Sequence, residues 1–131
     1  MSLRVIGAVL LAGVVTFGIG WLVGASGRAG AERQVAALEE RAEFAQARAL
    51  VSDGRVSLFL VNFGDASKHF EEARGLVEKA QTRLRETGQA ERAGRLEIVL
   101  THLRDAQRLA ASLDSSAQGA AAEALRGLAG Q

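Results

Sequence analysis

Histidine, cysteine and paired carboxylates are the side chains that most readily carry chemistry, and this 131-residue chain is sparing with all of them. It has no cysteine, which excludes thiol nucleophiles, disulfides and cysteine-ligated metals. Its two histidines, His69 and His102, are far apart in sequence, and neither belongs to an HExxH pair. Glu71 and Glu72 follow His69, but neighbouring helical positions diverge by about 100°, so the two carboxylates do not face each other. The EExxH spacing of di-iron bundles is absent, and no glycine-rich phosphate loop follows a strand. These residues predict a protein that is not an enzyme and has no cofactor, no metal site and no small-molecule substrate. A pH response is the one role a lone histidine could fill, because its ordinary pKa near 6.5 lies in the physiological range.

Contact is the function that remains, and contact depends on the elements that display the residues. Every acidic residue, and every basic one except Arg4, lies beyond residue 27, so that part of the chain is formally neutral. The balance argues against a nucleic-acid surface, which needs a basic excess. Proline is absent, and Ala, Leu, Glu, Arg and Gln dominate the same region. These are strong helix formers, and the fold class they predict is all-α.

The N-terminal part is different in kind. From Val5 to Gly24 there is no charge and only Thr16 as a hydroxyl. Twenty helical residues span roughly 30 Å, the thickness of a bilayer's hydrocarbon core. The run is longer than a signal-peptide core of about 7–15 residues, so an uncleaved single-pass anchor over residues 5–24 is expected. Ala8, Ala12, Thr16, Gly20 and Gly24 fall at successive i+4 positions and form one small face. Small residues let helices approach closely in lipid, so this face is expected to dock against a partner span or a copy of itself. Trp21 reads as an interfacial anchor.

Beyond the anchor, small or apolar residues recur at alternating steps of three and four: Val35, Leu38, Ala42, Ala45, Ala49, Ser52, Val56, Phe59 and Phe63. The rhythm continues through Ala66, Phe70, Ala73, Val77, Ala80 and Leu84, and a second run covers Leu96, Val99, Leu103, Ala106, Ala110 and Leu113. Such periodicity predicts coiled-coil-like helix packing, within the chain as a small antiparallel hairpin or bundle or against a partner chain. Breaks are expected at "NFGD" (62–65), with Asn62 and Gly64 ending one helix and Asp65 capping the next. Others fall at "ETGQ" (86–89), with Gly88 as the left-handed residue, and at "LDSSAQG" (113–119), with caps in 114–116. "SDG" (52–54) is expected to break or bend the first long helix. The anchor then continues into helix 29–61, followed by 66–86, 90–113 and 117–128. The domains predicted are an anchor at 1–27, a hairpin or bundle at 28–116, and a short helix with a frayed tail at 117–131.

Within this pattern Gly54, Phe63, Ala66, Phe70 and Ala73 resemble the spacing of one degenerate tetratricopeptide unit over residues 50–76. The stretch A-x3-F-x2-A stands at Ala66, Phe70 and Ala73. Leu50, Asp53 and Ser57 replace the family's tryptophan, leucine and tyrosine, and no second copy follows at its period near 34 residues. The resemblance implies a helix–turn–helix used for protein recognition. Phe59, Phe63, Ala66, Phe70 and Ala73 are expected to form the hairpin core.

The functional expectation is a small accessory or scaffold subunit of a larger membrane complex, working through helix–helix contacts with other subunits or with itself. A membrane-anchored sensor or ligand-binding bundle, and a homo-oligomeric coiled-coil spacer, are the alternatives. Arg28, Arg33 and Arg41 follow the span and only Arg4 precedes it, which would hold the domain inside the cell. The short basic start instead resembles a signal-anchor, and the expectation adopted is a domain outside the cytoplasm, periplasmic if bacterial.

Overall fold

A computed structural model describes the backbone of residues 3–131 and the side chains of residues 30–131. Four helices follow one another: α1 (Leu3–Phe59), α2 (Phe63–Glu86), α3 (Ala90–Ala111) and α4 (Ala117–Ala129). No strand occurs among the described residues. The chain divides into two compact units, Met1–Glu39 and Glu40–Gln131. The predicted span at 5–24 and its small face of Ala8, Ala12, Thr16, Gly20 and Gly24 lie outside the residues whose side chains are described. Within residues 30–131 no helix is long and apolar enough to cross a membrane.

Glu40–Gln131 is an antiparallel helical bundle, and specific pairs set its directions. Glu43, early in this part of α1, meets Lys79 and Arg83 late in α2, whereas Gly54 meets Phe70 near the start of α2. Gln81 of α2 reaches Ala93 of α3, and Glu78 pairs with Arg104 further along. Val99 of α3 lies against Gly127 of α4. Helix α4 returns to α1, where Arg48 donates to the Leu128 carbonyl at 3.4 Å and Arg55 donates to Gln118 Oε1 at 3.2 Å. Short connections between antiparallel neighbours are the usual solution for such bundles.

Each helix buries one stripe. Helix α2 contributes Ala66, Phe70, Ala73, Val77, Ala80 and Leu84; α4 contributes Ala117, Ala121, Ala124 and Leu128. Helix α3 buries both Val99 and Leu100 beside Ala93, Leu96, Leu103, Ala106 and Ala110, a wider face because it packs against α2 and α4 together. Residues 117–131 include α4, whose Ala117, Ala121, Ala124 and Leu128 are buried, and the compact unit that holds it is Glu40–Gln131.

Helix α1 departs most from the sequence expectation. Its buried stripe is Phe44, Ala47, Val51, Gly54 and Leu58, while Val56 and Phe59 are 57% and 82% exposed. Phe59 is thus outside the core. The predicted repeat ran unbroken from α1 into α2, but the turn at 60–62 lets α2 start a new phase. Gly54 does not break α1. A Cβ there would stand 2.5 Å from Phe70 Cε1, so glycine is required for the ring to reach the α1 backbone. Gly127 serves α3 and α4 in the same way, with Val99 Cγ2 only 2.6 Å from where its Cβ would be.

The turns are legible in part. Gly88 takes the left-handed conformation after α2, with φ +75°. At the first turn that role falls to Val61 (φ +62°), and Asn62 is the cap of α2, its side chain accepting from the Asp65 N–H at 3.3 Å. Gly64 and Asp65 already belong to α2. Leu113 (φ +60°) plays the same part after α3, and Asp114 accepts hydrogen bonds from the backbone N–H and hydroxyl of Ser116. A left-handed conformation costs an L residue roughly 1–2 kcal/mol. Val61→Gly is accordingly expected to raise stability by about 1 kcal/mol, read as a higher urea midpoint with an unchanged slope. An unchanged or lower midpoint would contradict the strain.

Candidate functional site

Within the bundle unit α1 carries an exposed face of small and apolar residues. Ala42, Ala45, Ala49, Ser52, Val56 and Phe59 are all exposed and follow one another at steps of three and four. With 3.6 residues per turn they point almost opposite to Phe44, Ala47, Val51, Gly54 and Leu58. Helix α1 therefore has two apolar stripes, one packed inward and one facing solvent. The outer stripe spans about 27 Å at 1.5 Å per residue.

It ends in an exposed apolar cluster. Phe59, Leu60 and Val61 close α1, and the Arg55–Gln118 bond brings the α3–α4 turn with Leu113 to the same end of the bundle. Val61 and Leu113 are 72% and 71% exposed although both sit in left-handed conformations. Bulky apolar side chains on strained backbone gain nothing for folding from such positions, and strain of this kind concentrates where a protein binds. A shallow groove beside the stripe is lined by Ser52, Arg55, Val56, Phe59 and Gln118. Gln118 holds Arg55 at its rim by donating back to the Arg55 carbonyl at 2.9 Å.

The hairpin residues separate into distinct environments. Ala66, Phe70 and Ala73 are fully buried, Phe63 is half-buried against the core, and Phe59 belongs to the exposed cluster. His69 is half-buried, with no hydrogen-bond partner for Nδ1 among the described residues; Glu71 and Glu72 are exposed. His102 lines a separate shallow groove with Ile98, Arg95 and Arg126 between α3 and α4. Among the described residues no three potential ligands gather around a metal position.

Among the described residues five ion pairs join different helices and five lie within one helix. Arg83 hydrogen-bonds Glu43 and holds its carboxyl below the ordinary value of 4.5, with Lys79 adding to the pull against the opposing effect of burial. Glu97 is lowered by the Gln81 side-chain amide and by Arg104 and Arg85; Asp114 is lowered by the Ser116 hydroxyl and N–H. A carboxylate whose folded pKa is depressed contributes stability above its unfolded value and loses it as pH falls through the folded one. The bundle should therefore lose stability as pH drops below about 4.5. Glu43→Gln should flatten part of that slope in urea titrations at successive pH values; an unaltered slope would remove Glu43 from the account.

Comparison with protein-family models, curated proteins and solved structures finds no match to this chain. The functional reading rests on its own residues.

Proposed function

We propose that this protein is a non-catalytic helical scaffold, a small subunit that holds other chains at a membrane by helix–helix contact. Residues 5–24 supply the anchor in this reading, with Ala8, Ala12, Thr16, Gly20 and Gly24 as its docking face and the bundle outside the cytoplasm. The observation that carries the proposal is the outer stripe of α1, an apolar face in coiled-coil register that the bundle leaves exposed. Helices with a second apolar stripe are built to receive another helix. The tetratricopeptide-like spacing around Phe70 implies a contact role as well.

The stripe can be tested without touching the core. Ala45→Glu combined with Ser52→Glu places two charges on exposed positions, so the helical signal and urea midpoint should stay within about 0.5 kcal/mol of the wild type. Chemical cross-linking of the full chain in its own membranes should meanwhile lose the cross-linked species that the wild type forms. Assembly that persists unchanged in this variant would remove the stripe as the working surface.

A further inference from the structure

We infer that the occupant of the outer stripe is a second copy of this chain, lying parallel to the first. The inference rests on the contact reading above and adds the partner and its direction. Knobs-into-holes packing requires a helix with the same seven-residue repeat, which a second α1 has by construction. In that register Ala42, Ala49 and Val56 take the a positions, and Ala45, Ser52 and Phe59 the d positions. The same spacing continues in the sequence to Leu38 and Val35, which are also exposed.

The flanks decide the direction. On one side of the stripe stand Arg41, Arg48 and Arg55, the three g positions; on the other stand Gln46 and Asp53, the e positions, with Glu39 before them in sequence. Parallel helices bring each g residue against the e residue five places on in the partner. Arg48 then meets the partner's Asp53 twice by symmetry, and Arg41 meets the partner's Gln46. Antiparallel helices instead bring g against g, so three arginines face three arginines and the acidic side faces itself. Like charges across a helix pair select against that arrangement. Arg48 and Arg55 are also tethered from behind by the Leu128 carbonyl and Gln118 of α4, which lowers the entropy lost when they pair. The exposed cluster at Phe59 would be partly covered at the end of the paired helices.

Because the chain has no cysteine, single cysteines report its neighbours directly. Ala42→Cys and Val56→Cys, each in the full chain in mild detergent, would be oxidised separately and as a mixture, with Arg108→Cys, at an exposed position of α3, as control. The expected result is that each stripe variant links to itself at twice the chain mass of 13.8 kDa and the control does not. Linking only in the mixture would show antiparallel pairing and overturn the inference. A link only to a chain of different mass would overturn self-pairing while leaving the scaffold reading standing. The absence of any link, together with a monomeric mass by light scattering, would overturn the inference; the glutamate variant in membranes would then judge the scaffold reading by itself. Charge exchange gives a second readout. Arg48→Glu should weaken dimerisation about tenfold through its two symmetry-related pairs, and adding Asp53→Arg should restore it. Failure of the double exchange to restore pairing would exclude the Arg48–Asp53 contact.

Discussion

Phe70→Ala is expected to cost about 3–5 kcal/mol, a large part of the 5–15 kcal/mol that holds a typical domain. The ring is fully buried on α2 and reaches the backbone of α1 at Gly54. Its neighbours along the buried stripe, Ala66 and Ala73, are too short to swing into the space it would leave. The cavity would stay open, and the cost should sit at the upper end of the range. Gly54→Ala tests the same contact from the other side, because the added methyl meets the ring at 2.5 Å and forces it or the helix aside. A cost of about 1–3 kcal/mol is expected for that overpacking. The two changes should couple strongly, since the methyl costs little once the ring is gone. Urea denaturation of the wild type, both single variants and the double variant closes the cycle. Additive losses would mean that Phe70 and Gly54 do not touch.

How much of the bundle is legible in the sequence depends on how many stripes a helix carries. Helix α2 has one apolar stripe, so its buried apolar residues from Ala66 to Leu84 follow directly from the spacing, whereas the buried Gln81 does not. Helix α1 carries two stripes in the same repeat, and periodicity alone does not say which of them faces the bundle. The stripe with Val56 and Phe59 has the same spacing as the one with Phe44, Val51 and Leu58, and the sequence offers no ground for setting it aside. The bundle takes the other, because only there does a glycine let the Phe70 ring approach. Gly54 was legible as a helix breaker and acts as a contact. Val61 was hidden for a related reason: a β-branched residue is the last that propensity would place at a positive φ. The candidate site is therefore visible in the sequence as a packing pattern without a stated partner, only Phe59 of it being expected in the hairpin core, and the surplus of apolar spacing on α1 is the signal for it.

Leu103→Ala is expected to cost about 2–5 kcal/mol, whereas Leu113→Ala should leave stability within about 0.5 kcal/mol of the wild type. Both leucines continue the same spacing along α3, and sequence periodicity treats them alike. Leu103 is fully buried on the helix that packs against both α2 and α4, so truncation opens a cavity in the core. Leu113 lies two residues beyond the end of α3, in a left-handed conformation, with most of its side chain in water. Alanine there is no less strained than leucine and gives up little buried surface. Leu113→Gly should go further and raise stability by about 1 kcal/mol, because it removes the left-handed cost. If the apolar end of the bundle is a contact surface, that gain in folding should come with a loss in assembly, seen as weaker self-linking of Val56→Cys. Equal costs for Leu103→Ala and Leu113→Ala would instead place Leu113 in the core and end α3 beyond Ala111.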